Sequence, residues 1–317
     1  MAAPSPGAAL LRGAGAVVAA GAAAVTWSLL EARWYTLREV TVPVLPAGQA
    51  PLRVLHVSDL HLTPSQQDKV AWVRDLARLD PHLVVDTGDN WAHLDSMGPL
   101  MEALDPLLGT PGVFVLGSND YRAPKPKNPA RYLLPDARTH VHRTANLPWR
   151  ELVSRLTSAG WLDLDNHRGA LDVDGRRLSF VGTDDAHLDR DDLPAAGGPD
   201  DARTGEAPVD LHLGVTHAPY RRVLDAMHAD DVDLVIAGHT HGGQLAVPFF
   251  GALITNCDLD RGRAKGLSGW PGPRPDRPGG AGSTWLHVSA GLGTSPYAPV
   301  RFACRPEATL LTLAPLG

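Results

Sequence analysis

Short runs of apolar residues alternate along this chain with stretches in which apolar residues recur at helical spacing. Arg53–Val57 reads as a buried strand; Val70, Val73 and Ala77 follow at helical spacing, after Ser65 as a candidate helix N-cap. Leu83–Val85 is a second strand. Met97, Leu100, Met101, Leu104 and Leu108 mark an amphipathic helix with Pro99 tolerable in its first turn, and Val113–Leu116 is a third strand. Glu151–Ala159 is a helix stopped by Gly160, and Leu171–Val173 and Leu178–Val181 flank an Asp174-Gly175 hairpin turn. Leu211–Val215 and Leu234–Ala237 are strands separated by a helix at Val223, Leu224 and Met227. Ser268–Ser283, rich in Pro and Gly, reads as a mobile loop, and Trp285–Ser289 and Leu310–Leu313 as closing strands. Such alternation predicts an α/β sheet with crossover helices, whose ligands collect at the carboxyl ends of the strands.

The residues at those ends carry the chemistry. The first three strands run into Ser58-Asp59-Leu60-His61, Thr87-Gly88-Asp89-Asn90 and Gly117-Ser118-Asn119-Asp120; two later ones run into Thr216-His217 and Gly238-His239-Thr240-His241. Carboxylates and imidazoles suit zinc, manganese or iron, and with two cysteines, Cys257 and Cys304, a thiolate-rich structural zinc site is excluded. In Asp59–His61 and His239–His241 the two candidate ligands are two residues apart, which in extended backbone puts both on one face. Asp59, His61, Asp89, Asn119, His217, His239 and His241 are too many ligands for one tetrahedral ion and suit two ions sharing a bridge. Two metals roughly 3.5–4 Å apart are a device for displacement at phosphorus.

In this order the motifs resemble the calcineurin-like metallophosphoesterases, over residues 52–317. Within that family the chain is most similar to the membrane-anchored bacterial branch, through its apolar N-terminal segment, Ser58–His61, Gly238–Gln244 and the late Gly291-Leu292-Gly293. The resemblance implies a four-layer α/β/β/α sandwich of two mixed sheets. It also implies ligand roles: Asp59, His61 and His241 for one divalent ion, Asn119, His217 and His239 for the other, Asp89 shared, with a bridging hydroxide attacking phosphorus. The family carries His after its metal-binding Asn. An ungapped alignment puts Ser118 at the Asn position and Asn119 at the His position; a one-residue shift, preferred because an amide oxygen binds metal better than a Ser hydroxyl, makes Asn119 the ligand and Asp120 its neighbour. Since the His is absent either way, Asp120, or a group such as His187, is the candidate replacement.

Composition refines the setting. The chain has 317 residues, 44% of them apolar and 20% charged, a globular balance, and its net charge of −6 argues against general nucleic-acid binding. Gly13–Leu30 carries no charge and is long enough for a bilayer core, which predicts a single-pass signal anchor within residues 1–37, with a cleaved signal peptide and a soluble Ala-rich helix as the alternatives. Arg12 and the start amine weakly favour an extracytoplasmic catalytic domain. Residues 38–51 read as a linker with a leading strand and 52–317 as the catalytic domain. The expected activity is that of a phosphodiesterase or pyrophosphatase on a phosphorylated small molecule or a lipid-linked substrate. A soluble or exported phosphatase and an idle metal-binding module are the alternatives. Arg122, Lys125, Lys127, Arg131, Arg138 and Arg143 could form a basic collar for an anionic substrate, with a solvated loop as the alternative; Asp184, Asp185 and His187 read as a solvated loop, with a group supporting the ligands or touching substrate as the alternative; and the two cysteines read as packing thiols, with a bridge possible.

Overall fold

Alternate residues of the central strands bury apolar side chains on both faces, so each sheet must be covered twice. A computed structural model describes residues 6–126 and 147–316. In chain order its elements are α1 (Pro6–Glu31), β1 (Thr36–Leu45), β2 (Leu52–Val57), α2 (Gln67–Asp75), β3 (Leu83–Asp86), α3 (Met97–Leu104), β4 (Gly112–Phe114) and α4 (Ser118–Tyr121). There follow α5 (Trp149–Ser158), β5 (Leu162–Asp163), β6 (Arg168–Val173), β7 (Arg176–Thr183), β8 (Leu211–Thr216), α6 (Arg221–Ala229) and β9 (Leu234–Ala237). The last are β10 (Ala246–Val247), β11 (Gly251–Ala252), β12 (Gly266–Trp270), β13 (Thr284–Val288) and β14 (Glu307–Pro315).

Two six-stranded mixed sheets result. One has the order β1-β14-β2-β3-β4-β5 and the other β12-β13-β9-β8-β7-β6. In the first, β2, β3, β4 and β5 are parallel and β14 is antiparallel to β2; in the second, β7, β8, β9 and β13 are parallel and both edge strands are antiparallel. Leu52, Val54, Leu83 and Val85 of the first sheet pack between the sheets with Leu213, Val215, Leu234 and Ile236 of the second. The intervening residues point outward: Leu55, Val57 and Val84 meet Val70, Val73 and Leu100 of α2 and α3, whereas Val235 and Ala237 meet Val223, Leu224 and Met227 of α6. This is the expected α/β/β/α sandwich.

Several local expectations need correction. Ser65 is not the cap of α2; the helix starts after Gln66, whose side-chain oxygen accepts from the Thr63 N–H. The strand expected within 38–51 is the ten-residue β1, which starts earlier, at Thr36, and pairs with β14. Pro43 sits in it because an edge strand has a side that needs no donor. The first residues of the Pro/Gly-rich stretch form β12, paired with β13. Asp184 and Asp185 are buried rather than solvated. The two cysteines do not bridge; Cys304 is buried and Cys257 partly so. Lys127, Arg131, Arg138 and Arg143 lie outside the described residues.

Candidate metal centre

All seven candidate ligands stand just past the carboxyl ends of strands: β2 leads to Asp59 and His61, β3 to Asp89, β4 to Asn119 in the single turn of α4, β8 to His217, and β9 to His239 and His241. The chain turns sharply at these ends. Asp59, His61, Asp89, His239 and His241 all have positive φ, between 40° and 68°. Non-glycine residues occupy that region only when the surroundings enforce it, and such strain gathers at functional sites. Glycines make the room. A Cβ on Gly117 would strike Asp89 Oδ1 and the His217 ring, and one on Gly238 would strike the hydroxyl of Ser58.

Ligand atoms of Asp59, His61, Asp89 and His241 lie within 4.8 Å of one another, and all four residues are buried. His61 Nε2 is 3.2 Å from His241 Nε2 and 3.4 Å from Asp89 Oδ2, and His241 Nε2 is 3.6 Å from Asp59 Oδ1. On the other side of Asp89, Oδ1 is 3.6 Å from His217 Nε2, which is 3.3 Å from His239 Nδ1. Asn119 closes this side, donating from its backbone N–H to Asp89 Oδ1 and from Nδ2 to Oδ2, both at 2.7 Å.

Backbone carbonyls fix three of the four imidazoles. The Nδ1–H of His217 donates to Thr87 O at 2.7 Å and that of His241 to Gly293 O at 3.2 Å; the Nε2–H of His239 donates to Asn256 O at 3.2 Å. In its neutral form each ring then turns its other nitrogen, as a lone pair, to the pocket, the usual outer support of a metal-ligating histidine. Burial pushes His61 down to about 4 and His239 and His241 well below the ordinary histidine range, which keeps those lone pairs available. Burial pushes Asp59 up to about 6 against the pull of His217. Burial acts upward on Asp89 too, but His217, His61 and the two Asn119 donors hold it well below the carboxylate range. His217 is raised to about 9 against its burial by Asp89, Asp185 and Asp59, a measure of how strongly this pocket attracts positive charge. Among the described residues Asp59 Oδ1 has no hydrogen-bond partner although it is buried. An orphaned anionic oxygen is costly unless a cation occupies the pocket. The donor set therefore fits divalent metal.

Asp120 is brought to the site but faces away from it. Its carboxylate accepts the N–H groups of Asp89 (2.7 Å), Gly117 (2.9 Å) and Asn90 (2.9 Å), tying two ligand loops together. Burial and the charge of Asp89 push its pKa well up, against the pull of those donors. His187 lies on the open side: its ring is 4.6 Å from that of His239, and its Nδ1 is 3.0 Å from the Tyr220 hydroxyl. Asp185 stands behind it, accepting from the His187 N–H, and burial pushes that carboxyl up to about 7.

Two buried cations escaped sequence reasoning. Lys69 Nζ donates to Leu60 O at 2.6 Å, between Asp59 and His61, and burial lowers it to about 7. The fully buried Arg301 donates to the carbonyls of Ala290, Gly291 and Gly293, clamping the late glycine segment beside His241. No local pattern announces either; Lys69 falls on the buried face of α2, which was a weak hint.

The fold and this cluster define a metal-dependent hydrolase of phosphate esters. Residues 52–243 match the family described as calcineurin-like phosphoesterase, and the chain belongs to that family. It is 25% identical over 281 residues to the uncharacterized metallophosphoesterase YkuE of Bacillus subtilis strain 168, covering 85% of this chain and 82% of that one. It is 26% identical over 304 residues to an uncharacterized metallophosphoesterase of Aquifex aeolicus strain VF5, covering 92% and 96%. It is 26% identical over 296 residues to the phosphodiesterase YaeI of Escherichia coli strain K12, covering 89% and 90%.

Proposed function

We propose that the chain is a two-metal phosphodiesterase or pyrophosphatase, held at a membrane by α1 and acting on a phosphorylated substrate at or near the lipid surface. The observation that carries the two-metal reading is the position of Asp89, with one carboxylate oxygen toward His61 and the other toward His217. Asp59, His61 and His241 would hold one ion; Asn119, His217 and His239 the other; Asp89 both. Manganese, iron and zinc all suit this set. When bound, the pair supplies positive charge for the phosphoryl oxygens and makes an attacking water more acidic.

The protein's own groups do the rest. The carbonyl-anchored histidines keep the ligand geometry fixed, and the strained turns hold it before substrate arrives. We assign leaving-group protonation to His187, which stands beside His239 and is oriented by the Tyr220 hydroxyl. Asp120 is assigned to positioning Asp89 and Gly117, because both of its oxygens are engaged by backbone N–H groups. The helix Gly13–Glu31 is long and apolar enough to cross a membrane by length and composition, which supports anchoring. On that reading the charge at its start favours an extracytoplasmic catalytic domain. The name of the relative YaeI supports diester over monoester hydrolysis.

The test is turnover of bis-p-nitrophenyl phosphate by metal-free protein refilled with manganese, with bound metal counted on the same sample. Two ions per chain and turnover lost in Asp89→Asn are expected. Full metal occupancy without turnover of any diester or monoester would identify an idle metal-binding module instead.

A further inference from the structure

Among the described residues outside α1, the most exposed large apolar side chains stand at the tip of the β10–β11 hairpin. Phe249 is fully exposed, and its neighbours Val247 (44%) and Phe250 (59%) are also exposed. Adjacent exposed phenylalanines serve no packing purpose in the chain, and clustered exposed apolar side chains mark a partner surface.

The backbone says which partner. The last turn of α1 docks on residues 301–304: Ser28 O accepts from the Arg301 N–H, and the buried Glu31 carboxylate accepts from the N–H groups of Ala303 and Cys304. Phe302 in that same segment pairs with Leu245 and exchanges backbone hydrogen bonds with Gln244 and Ala246, the root of the hairpin. The segment on which the apolar helix ends thus lies about one strand spacing, roughly 5 Å, from the root of the hairpin. Trp27 and Trp34 are half exposed at the same end of α1, packed edge to face. Amphipathic rings of this kind sit at the headgroup level of a bilayer.

Against the hairpin lies a cleft of about 770 Å³, lined by Ala303, Phe249, Phe250, Arg261, Lys265 and Gly242, among others. Gly242 directly follows the candidate ligand His241, and Ala303 donates its N–H to Glu31 of α1, so the cleft's wall touches both the metal loop and the segment on which α1 ends. Arg261 lies over the Phe250 ring at 4.6 Å, and both Arg261 and Lys265 are exposed. The nearby Asp260 is paired with Arg263, which leaves the cleft's rim positive beside an apolar tip. Apolar rings flanked by cations complement a bilayer interface, where acyl chains lie under phosphate headgroups.

We propose that the Val247–Phe250 hairpin tip dips into the bilayer beside α1, forming a second membrane contact that sets the cleft against the lipid headgroups. The inference rests on the anchored reading of α1, and the test separates the two. The full-length chain with Cys257→Ser and Phe249→Cys is labelled with an environment-sensitive fluorophore; Cys304, being buried, stays. It is reconstituted into phosphatidylethanolamine–phosphatidylglycerol vesicles with and without lipid-borne doxyl quencher. A second sample carries the label at Gly175→Cys, in the β6–β7 turn on the rim opposite the metal centre. Carbonate extraction is run on both.

Quenching at position 249 and none at 175 is expected, with protein retained after carbonate. Quenching at 249 from protein that carbonate releases would sustain the hairpin contact and remove the anchor. A carbonate-resistant protein without quenching at 249 would overturn the hairpin contact and leave the anchor standing. Equal quenching at both positions would overturn it as non-specific adsorption, and absence of both quenching and retention would remove both readings.

Discussion

Asp120→Asn tests whether this residue is scaffold or acid. The carboxylate spends Oδ2 on the N–H groups of Asp89 and Gly117, at 2.7 and 2.9 Å, and Oδ1 on that of Asn90, at 2.9 Å. An asparagine with its oxygen in the Oδ2 position keeps two of these bonds and points an NH2 group at the Asn90 N–H. One charge-assisted bond is lost and one buried donor is left facing another, which costs about 2–3 kcal/mol. Asp120→Ala loses all three, at least about 4 kcal/mol before relaxation. Urea unfolding of metal-free protein measures the difference, and metal titration on the same variants measures the consequence for the Asp89 and Gly117 loops. Outer partners of metal ligands typically contribute 10- to 100-fold in affinity, and a loss in that range is expected for Asp120→Asn. The reasoning is refuted if Asp120→Asn keeps both stability and metal affinity and instead loses kcat along with the basic limb of the pH–rate profile. That pattern belongs to a proton donor.

Four further outcomes follow. His187→Gln should lower kcat about 100-fold on an alkyl diester and much less on a p-nitrophenyl diester, whose leaving group needs no proton; equal losses on both would remove the assignment. Asp89→Asn should weaken metal binding by more than about 100-fold at both positions, measured by equilibrium dialysis, because this carboxylate faces both histidine sets. Gly117→Ala should keep its circular dichroism spectrum while losing metal, since the new methyl meets Asp89 Oδ1 and the His217 ring; unchanged occupancy would contradict the packing. His56 and His287 are buried against each other, and burial pushes His56 well down and His287 to about 4. Both are neutral when folded, whereas the unfolded chain protonates them near 6.5. Their stabilisation is therefore present above pH 6.5 and is lost as pH falls toward 4, by about 2 kcal/mol per histidine between pH 6.5 and 5. Denaturation of His287→Leu across that range should show a visibly shallower slope.

The sequence by itself determined the strand–helix alternation, the carboxyl ends of β2, β3, β4, β8 and β9 as the chemical rim, and the placing of the seven candidate ligands along that rim. These are local properties: burial on both faces of a central strand needs a continuous apolar run, and polar groups are tolerated only where the run stops. Tertiary structure alone decided matters that depend on residues distant in the chain. β12 became a strand because β13 offered an unpaired edge, although proline and glycine in the local sequence argued otherwise, and β1, expected as a short leading strand, ran to ten residues along β14. Asp120 stands next to Asn119 in the chain, yet its carboxylate is captured by backbone donors 30 and 31 residues away, while His187 and His239, 52 positions apart, came ring to ring. Arg301 and Lys69 gained their posts from carbonyls presented by other segments. The hairpin of Phe249 and Phe250 acquired meaning only when Phe302 carried it beside the foot of α1. Spacing along the chain fixes which side of a strand a group leaves from; the partner it meets is set by how the two sheets pack.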